Sequence, residues 1–465
     1  MSIVDDLQRT VRTGVVHAFV EGDMDRHLRD VVVSAPIGHF PMAVAYPTTT
    51  ADVSSILRFC DAGKITVIPQ GGLTGHSGGA VPDRGSVVIS LERMNTIEEI
   101  DRRASTMTVQ AGVVLQAIHS AANQAGLMFG LNIAGRGSCM IGGNIATNAG
   151  GSQVIRYGTT RQSILGLEAV LADGTVVSSM TKMLKNSAGY DLKQLFIGSE
   201  GTLGVITRAV LRLHPLLSAS ATALCALDDF AAVQEFLTQS RQALGESLTS
   251  FEVMWSPFYS LVTDGLGRQA PLAQNAGVYV IVEATGNDEE VLRRELESLI
   301  AEQIDGNGMS DAVIAQSEQQ RADIWRLRES TSELIRKLGP LLPFDISIPM
   351  GGIGRFIETC ERELFARWPD CTALFFGHLG DSNLHLAFRT PTEPQPTFEV
   401  ERLVYGLVGE YDGSVSGEHG IGTLKRDFLK HSRSDAEIHM MRRIKRALDP
   451  NNILNPGKIF APSSA

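Results

Sequence analysis

Two short stretches in the C-terminal half carry residues whose types and spacing suit metal chemistry. Thr372-Ala-Leu-Phe-Phe-Gly-His-Leu-Gly-Asp-Ser-Asn-Leu-His-Leu-Ala-Phe388 sets two apolar runs around Gly-Asp-Ser-Asn. If Asp381 and Ser382 form the two-residue loop of a hairpin, His378 faces His385. Residues directly opposite have Cβ atoms about 4.5 to 5.5 Å apart, close enough for both imidazoles to reach one metal ion. Ser414-Val-Ser-Gly-Glu-His-Gly-Ile-Gly422 then places adjacent Glu418 and His419 between glycines. Neighbouring side chains of an extended segment point apart, so one of the pair can be a ligand while the other meets a different partner. His378, His385 and Glu418 would supply three protein ligands and leave a position open, as a catalytic rather than a structural zinc requires. The bland reading of any one histidine is a satisfied core imidazole. For the set, that reading needs both the hairpin pairing and the glycine-flanked Glu-His to be coincidences.

A second kind of chemistry is written in glycine. The 46 glycines among 465 residues exceed the usual share of about 7%, and they cluster at 71–79, 135–151 and 198–204. Pro69-Gln-Gly-Gly-Leu-Thr-Gly-His-Ser-Gly-Gly79 follows an apolar run. Closely spaced glycines let successive backbone N–H groups converge on an anion, so the loop can hold a pyrophosphate without a charged side chain. The alternative is a flexible surface loop. Neither the Gly-x-Gly-x-x-Gly spacing nor a Gly-Lys-Ser/Thr ending is present, so a Rossmann or P-loop site is not supported. Gly137 to Gly151 is small and polar, with Asn144, Thr147 and Asn148 offering hydrogen bonds beside glycines, which suits a flat heteroaromatic ligand. Lys185 to Thr207 leads from a loop through a helix into glycine turns and a strand.

These groups need a scaffold. Short apolar runs such as 65–68 and 87–89 read as strands joined by tight turns. Helices are expected at Ala51 to Ala62, capped by Thr50 with Val53, Ile56, Leu57 and Cys60 on one face, and at Val113 to Ala125. The glycine clusters end near Leu213 to Ser220, which places a domain boundary near residue 217. Beyond it, helices are expected at Asp288 to Gln303, Ser317 to Leu338 and Phe356 to Ala366. Strands are expected at Val278 to Glu283, Phe344 to Ile348, Thr372 to His378 and Leu384 to Phe388, an α+β pattern. A basic helix over Asp435 to Leu448 precedes a turn-rich tail from Asp449 to Gly457.

Composition bounds the function. A chain of 465 residues implies about two to four domains at roughly 150 residues each. A net charge of −11 argues against general affinity for nucleic acid or anionic lipid. Five cysteines without a Cys-x-x-Cys pair point to a reducing compartment. Met1 to Arg9 carries acids early and has no basic-then-apolar pattern, so no signal peptide is expected. Ala104 to Gly135 lacks charge, but Gln110, Gln116, His119, Asn123, Gln124 and Asn132 interrupt it. Buried soluble structure is expected there rather than a transmembrane span.

The three glycine segments together resemble the vanillyl-alcohol-oxidase type, or PCMH-type, flavoprotein family. The branch is that of the glycolate oxidase flavoprotein, D-lactate dehydrogenase and D-2-hydroxyglutarate dehydrogenase. The likeness begins at Pro41-Met-Ala-Val-Ala-Tyr-Pro47 and Thr50-Ala-Asp-Val53 and reaches the tail. It includes Gly-His-x-Gly-Asp-x-Asn-Leu-His and Ser-Gly-Glu-His-Gly-Ile-Gly. It implies an α+β protein: a PCMH-type FAD-binding domain of two α+β subdomains over 1–217, then a substrate or cap domain with an antiparallel sheet over 218–448. A tail over 449–465 would return to the flavin domain.

By the same resemblance, Gln70, Gly71, Gly72, Leu73, Thr74, Gly75, His76 and Ser77 would wrap the FAD pyrophosphate. Ser138, Gly142, Gly143, Asn144, Thr147 and Gly150 would line the ribityl and ring region, with Gly201, Val205 and Asn455 completing the site. His378, His385 and Glu418 would bind a divalent metal, zinc being expected, and His419 would be the catalytic base. Asn383 would position substrate. Arg328, with Ser332 at i, i+4 on one helix, would clamp its carboxylate. The chain departs from the family pattern at four places. Gln70 stands where Arg is common, His76 where Leu is common, and Ser382 where Gly is common, while Pro343 stands where a Lys is expected. His76 raises the question of a covalent histidyl flavin; non-covalent FAD is expected.

The implied activity is FAD-dependent oxidation of a D-2-hydroxy acid, of D-lactate or D-2-hydroxyglutarate type, to the 2-oxo acid by hydride transfer to flavin N5. The acceptor would be an electron-transfer flavoprotein, a quinone or a cytochrome. The location would be cytoplasmic, or peripheral at the inner membrane through that acceptor, and a homodimer is compatible. Three other classes compete: an oxidase returning electrons to oxygen, a metal-dependent hydrolase, and a non-catalytic flavin binder.

Overall fold

Two units emerge from the computed structural model, which describes residues 3–461 apart from 307 and 340. The first comprises the chain up to Gly150, Gly158 to Leu216, and Glu418 onward. The second comprises Gly151 to Tyr157 and Leu217 to Gly417. Residues 418–448, expected with the second domain, therefore pack in the first unit, where long-range backbone contacts hold them.

The strands of the first unit are β1 (Val15–Ala18), β2 (Ala43–Tyr46), β3 (Val67–Gln70), β4 (Val87–Ser90), β5 (Ile97–Asp101), β6 (Thr106–Gln110), β7 (Leu127–Met128), β8 (Ile164–Val170), β9 (Val176–Ser179), β10 (Val205–Arg212) and β11 (His214–Pro215). They form a four-stranded sheet of order β1-β2-β4-β3, a five-stranded sheet of order β5-β6-β10-β8-β9, and the small pair β11-β7. In the first sheet β4 runs parallel to both β2 and β3. Parallel strands need a crossover, and the helix Thr50–Gly63 supplies it between β2 and β3. Thr49, not Thr50, caps this helix by accepting from Asp52 N at 3.2 Å. Val53, Ile56, Leu57 and Cys60 are buried on its inner face as the periodicity requires. The uncharged stretch 104–135 contributes β6 and the helix Leu115–Gln124 to the same core, with Met107, Val109, Leu115 and Ile118 buried. Among the described residues no helix is long and apolar enough to cross a membrane.

The second unit is built on β12 (Ala219–Leu227), β13 (Leu248–Trp255), β14 (Val278–Gly286), β15 (Met309–Ile314), β16 (Leu342–Ser347), β17 (Thr372–His378) and β18 (Asn383–Arg389). They form one sheet of order β15-β12-β14-β13-β17-β18-β16, antiparallel throughout. Helices Phe230–Leu244, Glu289–Asp305, Ile353–Arg367 and Thr397–Glu410 accompany it, which gives the expected α+β class. The single helix expected over Ser317 to Leu338 is two, Glu318–Arg328 and Thr331–Leu338. The break falls at Ser330, whose buried hydroxyl donates back to Arg326 O at 2.5 Å, a local bond that competes with helix continuation. Gly151 to Tyr157 joins this unit through Arg156, which donates to Thr285 O and Oγ1 at 2.8 and 2.7 Å.

Candidate active site

In the first unit the glycine segments enclose a cavity of about 390 Å³. Gln70, Gly71, Gly72, Leu73, Thr74, Gly75, His76, Ser77, Gly142, Gly143, Asn144, Thr147, Gly150, Gly201 and Val205 line it, as do Glu418 and His419. Ser138 and Asn455 do not line it. The Ser138 carbonyl lies behind the first loop, 2.1 Å from where a Cβ on Gly72 would fall, so only glycine lets the two segments meet. Asn455 ties the tail to the loop, donating to Gly79 O and Glu200 O at 2.9 and 2.8 Å. Gln70 is buried and anchors the loop's start: its amide donates to His27 O and Ala80 O, both at 2.8 Å, and His27 Nδ1 sits 2.6 Å from its Oε1. Burial pushes the His27 imidazole below its ordinary range, against the raising effect of Gln70.

FAD fits this cradle on two grounds. Among the described residues, the backbone N–H groups from Gly71 to Gly75 donate no hydrogen bond within the chain, which suits a pyrophosphate. Asn144 Oδ1 is buried without a partner, and a buried polar atom of that kind calls for a ligand donor.

Glu418 and His419 enter the cavity on the segment that follows Gly417. The His419 ring stacks on His76 with centroids 4.6 Å apart and planes inclined by 18°. Ser77 Oγ donates to His419 O at 3.0 Å. Glu200, absent from the sequence-derived site, also lines the cavity, and its carboxylate accepts from Ile421 N and Gly422 N at 2.7 and 2.8 Å. Its amide partners lie more than 200 positions along the chain, so no local pattern marked it.

In the second unit the hairpin register differs from expectation. His378 lies opposite Asn383, and Phe376 opposite His385. The loop is the 3-10 turn Leu379–Asp381 plus Ser382 in the left-handed region at φ 67°, not a two-residue turn. The register shifts by two residues, and because the side-chain period of a strand is two, both imidazoles stay on one face. They meet diagonally, edge to face, with ring centroids 5.4 Å apart.

Buried carboxylates support both sides of this pair. Glu252 lies opposite His378 and accepts from its Nδ1 at 2.7 Å, while Arg328 Nε lies 3.0 Å from the other oxygen. Burial alone would raise the Glu252 carboxyl, but His378 and Arg328 outweigh it and hold it below the ordinary range. Asp345 lies opposite His385 and accepts from Asn383 Nδ2 at 2.9 Å and Ser416 Oγ at 3.1 Å. Asn383 Oδ1 and Arg328 Nη2 are buried without hydrogen-bond partners. Burial pushes the Asp381 carboxyl in the turn up to about 6, against the lowering effect of His378. Arg328 and Ser332 do not share a helix: Arg328 is buried at the end of one, and Ser332 is exposed on the next.

Residues 216–459 match the family model for the C-terminal domain of FAD linked oxidases, and residues 41–179 match an FAD binding domain. This chain belongs to the FAD-linked oxidase family. Among curated relatives, the D-2-hydroxyglutarate dehydrogenase of Xanthomonas citri pv. viticola is 39% identical over 91% of this chain and 90% of its own length. That of Stutzerimonas stutzeri is 37% identical over 90% and 91%. A probable mitochondrial D-2-hydroxyglutarate dehydrogenase of Oryza sativa subsp. indica is 39% identical over 90% of the chain and 75% of its length. Among solved structures, p-cresol methylhydroxylase with substrate bound superposes with a TM-score of 0.77 at 17% identity, covering 98% and 96% of the two chains. The 4-ethylphenol oxidase of Gulosibacter chungangensis, an isoeugenol complex, gives 0.76 at 19%, covering 99% and 97%. At such identities these neighbours establish the fold alone, the PCMH-type flavoprotein fold. FAD is the cofactor of the family, and the glycine cradle is where this chain offers to hold it.

Proposed function

We propose that this protein is a dehydrogenase that oxidises a D-2-hydroxy acid to the 2-oxo acid, with D-2-hydroxyglutarate the substrate its relatives point to. The observation that carries the reading is likeness across nine-tenths of both chains to bacterial proteins of that name. When bound, FAD would accept a hydride from C2. His419, in the wall of the flavin cavity, would take the hydroxyl proton.

His378, His385 and Glu418 are the residues we assign to a divalent cation, zinc by donor type, which would acidify the substrate hydroxyl. Three features support this. With Nδ1 given to Glu252, Nε2 of His378 is the nitrogen that would meet a cation, the carboxylate–imidazole pairing common behind metal ligands. His385 shares the face of His378. Glu418 is bonded to Gly417, whose N–H reaches Asp345 O at 3.4 Å on the strand beside β18. Arg328 Nη2 and Asn383 Oδ1, both buried and unmet within the chain, are the groups we assign to the substrate's carboxylate and hydroxyl. Pro343 stands where the resembling enzymes lead one to expect a lysine, so D-lactate belongs in the substrate panel beside D-2-hydroxyglutarate.

Electrons would pass to an external acceptor, an electron-transfer flavoprotein, a quinone or a cytochrome. All five cysteines are free and buried, which supports a reducing compartment such as the cytoplasm. The test is His419→Ala: flavin reduction by D-2-hydroxyglutarate should vanish while FAD stays bound, and near-normal reduction would refute the base. Sustained oxygen consumption without another acceptor would refute the dehydrogenase in favour of an oxidase.

A further inference from the structure

Glu200 occupies a conformation that needs explanation. It is a buried, non-glycine residue in the left-handed region at φ 52°, an unfavourable placement that persists only when its surroundings fix it. Its surroundings do. The Glu200 N–H donates to Ala146 O at 2.8 Å, at the end of the helix that carries Asn144. Its carbonyl accepts from Asn455 Nδ2 at 2.8 Å, and the same amide holds Gly79 O of the first glycine loop. The carboxylate therefore leaves a backbone tied to all three parts of the flavin cradle.

That carboxylate ends on the segment of His419. Oε1 accepts from Ile421 N at 2.7 Å and Oε2 from Gly422 N at 2.8 Å, a two-pronged grip on successive amides. The sequence around the grip is shaped for it. A Cβ on Gly420 would lie 2.9 Å from Oε1, and a Cβ on Gly422 would lie 2.0 Å from Ser77 O. Gly420 and Gly422 both have positive φ, 80° and 52°. Burial pushes the Glu200 carboxyl up, against the lowering effect of these two amides and of Lys425; its two oxygens each accept from one amide, two and three residues beyond the imidazole.

We infer that Glu200 is a positioning residue for His419, fixing the backbone that carries the ring in the cavity wall before cofactor or substrate arrives. The inference rests on the reading of His419 as the base. Displacing a reacting group by about 1 Å can cost on the order of 100-fold in rate, so a carboxylate that removes that freedom affects turnover more than affinity.

The test pairs Glu200→Gln with amide hydrogen exchange on the FAD-free protein. In the wild type the Ile421 and Gly422 amides should exchange slowly. In Glu200→Gln, which keeps one acceptor oxygen but whose side-chain NH2 cannot accept, the amide facing the NH2 should exchange at least about tenfold faster. In the FAD-saturated variant, flavin reduction by D-2-hydroxyglutarate should be slowed about 10- to 100-fold at little-changed KM. Should Glu200→Gln not fold, Glu200→Asp keeps the charge but falls short of one amide, and the same pair of readouts applies. Unchanged exchange, or unchanged reduction with faster exchange, would overturn the role. A wild type that no 2-hydroxy acid reduces would sink the functional reading instead, while the exchange result would still report on the grip.

Discussion

The imidazole of His76, on the first glycine loop, lies nearly parallel to that of His419, with centroids 4.6 Å apart. Stacked rings of this kind are worth about 0.5 to 1.5 kcal/mol beyond burial, a factor of roughly 2 to 10. His76→Leu, which installs the side chain common in the resembling enzymes, should slow flavin reduction by about that factor with FAD retained. His76→Phe, which keeps a flat ring, should recover most of it. Stopped-flow reduction of the two variants decides. Equal rates for both would show that the stack does not orient His419.

Glu252 holds His378 Nδ1 on one oxygen and faces Arg328 on the other, entirely buried. Glu252→Gln should cost about 3 to 5 kcal/mol, because Arg328 is left as an uncompensated buried charge. It should also weaken zinc binding by roughly 10- to 100-fold through loss of the carboxylate behind the imidazole. Urea denaturation and zinc titration against a competing chelator measure the two effects separately.

Asp52 gathers the start of its helix. It accepts from Arg12 N at 2.9 Å, Thr13 Oγ1 at 2.8 Å and Thr48 N at 3.2 Å. Burial alone would raise its carboxyl, but these bonds outweigh it and hold the group below the ordinary range. A depressed carboxyl stabilises the fold above its unfolded value near pH 3.9, and the contribution is lost as pH falls through the lower folded value. Asp52→Asn should therefore cost about 1 to 3 kcal/mol at pH 7, with the gap closing towards about pH 3. Paired denaturation curves at the two pH values test the sign.

Asn455 joins the tail to Gly79 O and Glu200 O. Asn455→Ala should leave the buried Glu200 carbonyl short of a donor, at about 1 to 3 kcal/mol, free the half-buried Gly79 carbonyl, and weaken FAD binding although the residue does not line the cavity. FAD titration of the apoprotein gives the affinity directly.

What the sequence revealed was what is encoded locally. Asp435–Leu448 is a helix over the expected span because its ends are marked, with Ser434 and Glu437 forming a capping box. The glycine segments disclosed the cradle because phosphate-binding backbone needs those residue types in a row. What stayed hidden was set by distant partners. Glu200 grips amides more than 200 positions away, and no local pattern announces it. The His378–His385 face survived a wrong loop length only because the slip was two residues. Gly151 to Tyr157 directly follows a glycine-rich motif of the first unit yet packs in the second through Arg156, a choice made by side chains far along the chain.

The most direct measurement is anaerobic bleaching of the FAD-loaded protein with D- and L-2-hydroxyglutarate and D- and L-lactate, before and after chelation and after zinc is restored. A D-2-hydroxy acid should bleach the flavin, its L-enantiomer should not, and chelation should abolish the reaction until metal returns. Flavin that no hydroxy acid bleaches, or that both enantiomers bleach equally with no need of metal, would contradict the account.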